Sequence, residues 1–292
     1  MKKAAYNFVD EMKAKKSAAT VRNYSHTLKL FGEWVDANGG NLDAPTRHDV
    51  KTFLDDMIKR KLSASTLNAR YAALRAYAAY IGRPSIVDAI DLPAVPKLKE
   101  IAPQSLTKTE RNALLRKVEE DAEDRINKRG KIVKGSVRYA AIVNLLLRTG
   151  LRVSELVALD VDDVTINDRG GFLNVRSGKG NKSRRVPLSK EARYWLRRYM
   201  DERQEAETDG DEKALFLSNY RKRISVRIVQ ETLKDKYNVH PHMLRHSFAS
   251  KLVNEDGAPI TVVAEALGHS DITITNRYSK PTFEQLAEWI DK

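Results

Sequence analysis

Residues 136–156 read Ser136-Val137-Arg138-Tyr139-Ala140-Ala141-Ile142-Val143-Asn144-Leu145-Leu146-Leu147-Arg148-Thr149-Gly150-Leu151-Arg152-Val153-Ser154-Glu155-Leu156. Ile142, Val143, Leu145 and Leu146 predict a helix over Ser136 to Arg148, and Gly150 suits the left-handed position that ends one. Arg152 then stands just past a helix terminus, where it presents a rigid, permanently charged fork to an anion. Glu155, three residues on, is placed to brace it from behind. Taken alone, Arg152 is as readily a surface helix residue. Upstream, Thr107 and Glu110 form a capping box ahead of Leu114 and Leu115 and open a domain. Residues 118–134 are charged and contain Gly130, which reads as a loop or a helix extension. Downstream, Val164–Ile166, Phe172–Val175 and Arg184–Pro187 read as a small antiparallel sheet, punctuated by Gly170-Gly171 and Gly178-Lys179-Gly180-Asn181. Beyond it only helices are indicated.

The first hundred residues read as four helices joined by short turns. One starts at Ser17, runs through Tyr24, Leu28, Leu30 and Phe31, and ends before Gly39-Gly40. Another follows Pro45-Thr46 and carries Val50, Phe53, Leu54 and Met57 at helical spacing. A further one opens at Ser63 and continues through Leu67, Tyr71, Leu74, Tyr77 and Tyr80 to Gly82. Its aromatic and leucine stripe reads as core, and Arg70 and Arg75 on its exposed side are the candidates for phosphate contact. Pro93, Pro96 and Pro103 cannot share a continuous helix. The expected boundaries are therefore a helical domain 1–95, a linker 96–104 and a second domain 105–292.

A chain of 292 residues with 41% hydrophobic content fills two cores. Its net charge of +13 points to a polyanionic partner. Residues 1–99 carry +7 of that charge, so the smaller part is the more basic by density. With no cysteine, a disulfide framework, a thiol nucleophile and a cysteine-based zinc site are all excluded. Met1-Lys2-Lys3 begins like a signal peptide, but Asp10, Glu11 and Lys13 interrupt any apolar stretch behind it. No segment approaches a membrane span; the expected location is the cytoplasm, in association with the nucleoid.

The remaining reactive side chains lie in separate local settings. Lys179 sits between two glycines at a hairpin tip, where little bulk surrounds its ammonium. It is either a general acid for a departing alkoxide or a solvated turn lysine, with Lys182 its nearest rival. No Walker A pattern surrounds it, so ATP use is not expected. His242 and Arg245, three apart, share one face of a helix, and the imidazole suits acid, base or hydrogen-bonding work. His242 and His246 also stand at a metal-binding spacing, but Met243 occupies the place of a catalytic glutamate and no further ligand is near; no metal is expected. His246 and Phe248 read as packing inward. Four of the six histidines (His240, His242, His246 and His269) fall within thirty residues. His269 alone reads as a helix-end residue, and Tyr278 is one of eleven tyrosines. A phenol with a pKa near ~10 is a weak nucleophile until a base or nearby positive charge assists it.

Taken together, Thr149-Gly150-Leu151-Arg152, the turn at Gly178 to Lys182, His242-Met243-Leu244-Arg245, Leu267-Gly268-His269 and Tyr278 resemble the motifs of the tyrosine recombinases of the Xer/phage-integrase family. The resemblance is specific from about Gln104 to Tyr278 and general before that. It implies a mostly α protein with a small antiparallel sheet: an N-terminal helical, SAM-like core-binding domain that clamps DNA, and an α+β catalytic domain. It also implies site-specific recombination in which Tyr278 attacks a phosphodiester, forming a 3′-phosphotyrosine and freeing a 5′-hydroxyl. Arg152, His242, Arg245 and His269 would hold the phosphoryl oxygens, Lys179 would protonate the leaving oxygen, and Glu155 would support the set. Arg70, Arg75 and Lys182 are the DNA-contact candidates.

No cofactor is implied. The implied partners are double-stranded DNA carrying a specific recombination site and, on that DNA, a homotetramer; no membrane partner is implied. Two features depart from the family pattern. The charged stretch 118–134 is longer than the motifs require, and the fourteen residues after Tyr278 leave room for one short helix over 282–291. With Phe283, Leu286 and Ile290 on one side, that helix is too short to stand alone and is expected to exchange between subunits. The roughly one hundred residues ahead of the catalytic domain leave no space for a separate arm-type DNA-binding domain, which favours a two-domain recombinase over a large phage integrase. The alternatives are a type IB topoisomerase, which a relaxation assay without a target site separates, and a non-enzymatic DNA-binding regulator, which forms no covalent adduct.

The lysine assignment has its own test. A substrate with sulfur at the 5′-bridging position has a leaving group that needs no proton, so it should largely restore cleavage by Lys179→Ala. Restoration of Lys182→Ala instead moves the role three residues along, and restoration of neither places proton donation elsewhere.

Overall fold

The computed structural model describes residues 3–94, 104–126, 132–133, 135–176, 183–205, 213–268 and 275. Most of the expected linker 96–104, the turn 177–182 and the tail helix 282–291 lie outside them. The chain divides into two compact units, Met1–Lys97 and Leu98–Lys292.

Hydroxyl caps start three of the helices of the first unit. Helix α1 spans Lys3–Lys15, α2 Ala18–Ala37, α3 Arg47–Lys59 and α4 Ala64–Tyr80. Ser17, Thr46 and Ser63 accept the backbone N–H groups of Thr20, Asp49 and Thr66, each satisfying a donor that a helix start leaves open. Asp49 returns the favour by accepting from Thr46 N at 2.8 Å. The 3.6-residue period gathers Leu28, Phe31 and Val35 of α2, Val50, Phe53 and Leu54 of α3, and Leu67, Leu74 and Tyr77 of α4 into one buried cluster. Each such side chain contributes about 2 kcal/mol by leaving water. Helix α1 adds Phe8, whose ring meets Tyr77 edge-on at 5.5 Å. The Tyr77 hydroxyl donates to Leu42 O at 3.1 Å; burial, with the charge of Asp43 and the neighbouring Tyr80, pushes its pKa up to about 12, so it remains a donor. Arg75 is exposed, but Arg70 is not on the open side as expected. It is half-buried with Nη1 at 3.5 Å from the Met57 sulfur, and burial lowers its pKa.

In the second unit α5 (Lys108–Glu120) starts at the Thr107–Glu110 capping box, both halves of which are formed. Within 118–134 the described residues hold the end of a helix and a short ribbon, in place of the expected loop or helix extension. Helix α5 ends at Glu120, and Arg125–Ile126 (β1) pairs antiparallel with Ile132–Val133 (β2). The β-branched residues flanking Gly130 in sequence account for a ribbon that a count of charges conceals. Helix α6 (Val137–Thr149) is buried on nearly every side. It ends at Gly150 with φ +63°, where an added Cβ would lie 2.4 Å from Phe248 Cδ1 and 2.9 Å from Leu267 Cδ2. A short α7 (Val153–Ala158) follows, then the sheet β3 (Val164–Ile166), β4 (Gly171–Val175) and β5 (Arg184–Pro187), antiparallel in sequence order, with Val164 opposite Leu173 and Val175 opposite Arg184.

Four more helices complete the described part: α8 (Lys190–Glu205), α9 (Val226–Tyr237), α10 (Pro241–Asn254) and α11 (Ile260–Leu267). The helices are not alone after the sheet. Ala214 pairs with Asp160 and Leu217 with Arg223 in single bridges, an extended stretch with too little pairing to show a period-2 pattern. The core of this unit lies around α6, against α5, α8 and α10.

Gly150→Ala should lower the unfolding free energy by about 3 kcal/mol, combining a left-handed backbone with an overpacked Cβ. Gly82→Ala, also at positive φ but with open space around it, should cost only about 1 kcal/mol. Equal losses in denaturant titrations would show that the Phe248 contact is irrelevant.

Candidate active site

The left-handed turn at Gly150 releases the chain so that Arg152 becomes the N-cap of α7. The Glu155 carboxylate accepts from Arg152 N (2.9 Å) and from Arg152 Nη1 (2.9 Å). Arg184, from the first position of β5, grips the same carboxylate from the other side, with Nη1 to Oε1 at 3.0 Å and Nη2 to Oε2 at 2.9 Å. Burial alone would raise the pKa of Glu155. Hydrogen bonds from Arg184 and from the Arg152 backbone, with the charge of Arg184, outweigh it and hold the group at about 2. One carboxylate between two guanidiniums leaves a net positive cluster, and the part of it open to solvent is Arg152, whose side chain is 39% exposed against 9% for Glu155.

Arg245 enters from α10 and is buried. Its Nη1 donates to Gly150 O and its Nη2 to Leu267 O at 2.7 Å, so it joins the ends of α6 and α11. His242, one turn earlier on α10, is open to solvent on one side and crowded on the other. That partial burial, then the charges of Arg245, His240 and Arg152, lowers its pKa below the usual histidine value. The shift favours the neutral imidazole, which has one nitrogen to donate and one to accept. His240 caps α10, its Nδ1 accepting from Met243 N at 3.1 Å. His246 is half-buried, its ring centroid 6.4 Å from that of His242, and Phe248 is buried against Gly150.

Of the side chains singled out in the sequence, Arg152, Glu155, His242 and Arg245 come together: Glu155 bonds Arg152, and both arginine charges act on His242. Lys179, Lys182, His269 and Tyr278 lie outside the described residues. Arg70 and Arg75 belong to the other unit. Arg184 was missed, read only as the start of a strand. Its signal was present: strand alternation puts it on the same face as buried Val186, and an inward arginine needs a carboxylate.

Residues 106–285 match the phage integrase family model, and residues 7–83 match the phage integrase N-terminal SAM-like domain. Tyrosine recombinase XerD of Yersinia pestis is 31% identical over 96% of this chain and 93% of its own length. Tyrosine recombinase XerA of Thermococcus kodakarensis is 36% identical over 95% and 90%. The crystal structure of a XerA recombinase superposes with a TM-score of 0.54 at 25% identity, covering 99% of this chain and 96% of that one. A XerH recombinase bound to a palindromic difH substrate in a post-cleavage complex shares the fold, with a TM-score of 0.70 at 21% identity over 93% and 79% of the two chains. The chain belongs to the phage integrase family of tyrosine recombinases, enzymes that cleave and rejoin DNA at specific sites. Among the described residues no helix is long and apolar enough to cross a membrane.

Because the folded-state pKa of Glu155 lies below its ordinary value, its contribution to stability is present above about pH 4.5 and lost as pH falls towards 2. Glu155→Gln should therefore be less stable than the parent by roughly 3 kcal/mol at pH 7, with the gap closing between pH 5 and pH 2. A gap that does not change with pH in chemical denaturation would contradict the carboxylate clamp.

Proposed function

We propose that this chain recombines double-stranded DNA at a specific site through a covalent tyrosine intermediate, with Tyr278 as the nucleophile. The phenol oxygen loses its proton to solvent and attacks the scissile phosphorus, the bond from phosphorus to the 5′-oxygen breaks, and that oxygen takes a proton from Lys179. The products of this step are a 3′-phosphotyrosine and a free 5′-hydroxyl. Arg152, Arg245, His242 and His269 hold the non-bridging oxygens while negative charge builds on them. A 5′-hydroxyl from a partner strand then attacks the phosphotyrosine and releases Tyr278. The covalent link conserves the bond energy, so the cycle needs no nucleotide.

The observation that carries this reading is the net-cationic Arg152–Glu155–Arg184 cluster, with His242 close enough that the charge of Arg152 helps lower its pKa. That arrangement suits a phosphodiester, which requires fixed positive charge and a hydrogen-bonding group that does not compete for it. Recognition of the site falls to both units. Exposed Arg75 on α4 and Lys182 contribute phosphate contacts, and the basic first unit clamps the duplex. Exchange between two duplexes requires four cleavages, so the working assembly on DNA is a homotetramer, with residues 282–291 docking on a neighbouring subunit. The site of action is the nucleoid.

Incubation with a nicked DNA substrate, followed by denaturing electrophoresis, tests the chemistry. Tyr278→Phe should bind DNA as the parent does and form no covalent adduct. Arg152→Ala should slow adduct formation by about 100- to 1000-fold, the usual effect of removing one charge-stabilising donor. An adduct that persists in Tyr278→Phe would move the nucleophile to another residue.

A further inference from the structure

Arg152 and Glu155 alone would make a neutral ion pair. A carboxylate at 2.9 Å from Nη1 cancels most of the attraction that the arginine offers to a phosphate. Arg184 changes that balance. It meets Glu155 fork to fork through both terminal nitrogens, the bidentate geometry in which arginine binds a carboxylate best, whereas the Arg152 side chain reaches only Oε1. Arg184 is also the more enclosed of the two, its side chain 17% exposed against 39% for Arg152. The buried guanidinium thus takes the carboxylate, and the open one keeps its charge for solvent or ligand.

The seat of Arg184 is built around it. Gly268 holds φ +63°, and a Cβ there would lie 2.8 Å from Arg184 Nη1 and 2.9 Å from Cζ, so the guanidinium lies directly on the backbone that ends α11. Among the described residues its Nε is buried without a hydrogen-bond partner. A desolvated, unpaired donor weakens the fold, so stability alone does not explain an arginine at this place. Arg184 also faces Val175, the last described pair of the β4–β5 ladder.

We propose that Arg184 is a positioning residue for strand cleavage: it binds the charge of Glu155, so that Glu155 orients Arg152 without neutralising it. The inference rests on the reading of Arg152 as a phosphate ligand.

The experiment measures covalent adduct formation on nicked DNA at saturating protein, together with non-covalent binding and thermal melting. Arg184→Gln should bind DNA within about threefold of the parent yet form adduct about 30- to 100-fold more slowly, because Arg152 is then paired one to one. Arg184→Lys, which keeps the charge, should stay within about tenfold of the parent. Glu155→Gln combined with Arg184→Gln should recover about tenfold over Arg184→Gln alone, since removing the carboxylate returns the charge to Arg152. A residue that only supports the fold would give a double variant no better than the single one, and that result overturns the proposal. So does adduct formation by Arg184→Gln at the parental rate. If Arg184→Gln does not fold, Glu155→Gln and the double variant are compared directly. With residue 155 already neutral, loss of Arg184 should cost less than about threefold, and a loss of tenfold or more overturns the proposal. If the parent protein forms no adduct, the reading of Tyr278 and Arg152 fails and this proposal falls with it; if the parent forms adduct and the Arg184 variants depart from these rates, the role of Arg184 fails alone.

Discussion

A cation buried where two helices end holds the larger unit together. Arg245 reaches from α10 to the carbonyls of Gly150 and Leu267, at the C-terminal ends of α6 and α11. Those ends carry the negative pole of the helix dipole and carbonyls without intrahelical partners. A guanidinium placed there regains in hydrogen bonds what it loses in hydration, and the two helix ends gain a fixed separation. Most of the site's geometry follows from this. The left-handed turn at Gly150 can pack against Phe248 and Leu267 only because the residue has no side chain. The chain that leaves it delivers Arg152 to the start of α7, beside Glu155.

The site is a hierarchy of charges rather than a simple collection of them. Arg245 lies deepest and binds backbone; Arg184 lies next and binds a carboxylate; Arg152 lies outermost. His242 stands near two of these cations, and its partial burial, then the charges of Arg245, His240 and Arg152, lowers its pKa. Arg245 fixes the two helix ends and Arg184 fixes Glu155, so the positive charge left for a ligand is preorganised and needs little rearrangement when it is used.

Local rules made much of this legible in the sequence. The capping box at Thr107 is local, since a hydroxyl and a carboxylate three residues apart need nothing from the rest of the chain. The three strands of the larger sheet announce themselves by β-branched and aromatic residues between glycine turns. What was missed depends on distant partners. Arg184 acquires its meaning from Glu155, twenty-nine residues away. Arg70 turns onto Met57 rather than outward, because the long arginine stem covers apolar surface that spacing on its own helix does not reveal. The β1–β2 ribbon has two residues in each strand, too few for a period to show against the surrounding charge.

The bonds that close the larger unit also set an order in time. Arg111 on α5 binds both oxygens of Glu255, 144 positions later, and Leu106 N donates to Ser247 Oγ across 141. In the smaller unit, by contrast, Arg47 and Ala89 are joined over 42 positions, and Tyr77 and Leu42 over 35. Contacts between distant positions require a long loop to close before any gain is felt, which slows folding. During synthesis the basic helical unit therefore completes itself first, while α5 and α6 wait for α10 to emerge from the ribosome. The polypeptide thus has its smaller, more basic unit complete well before the larger one.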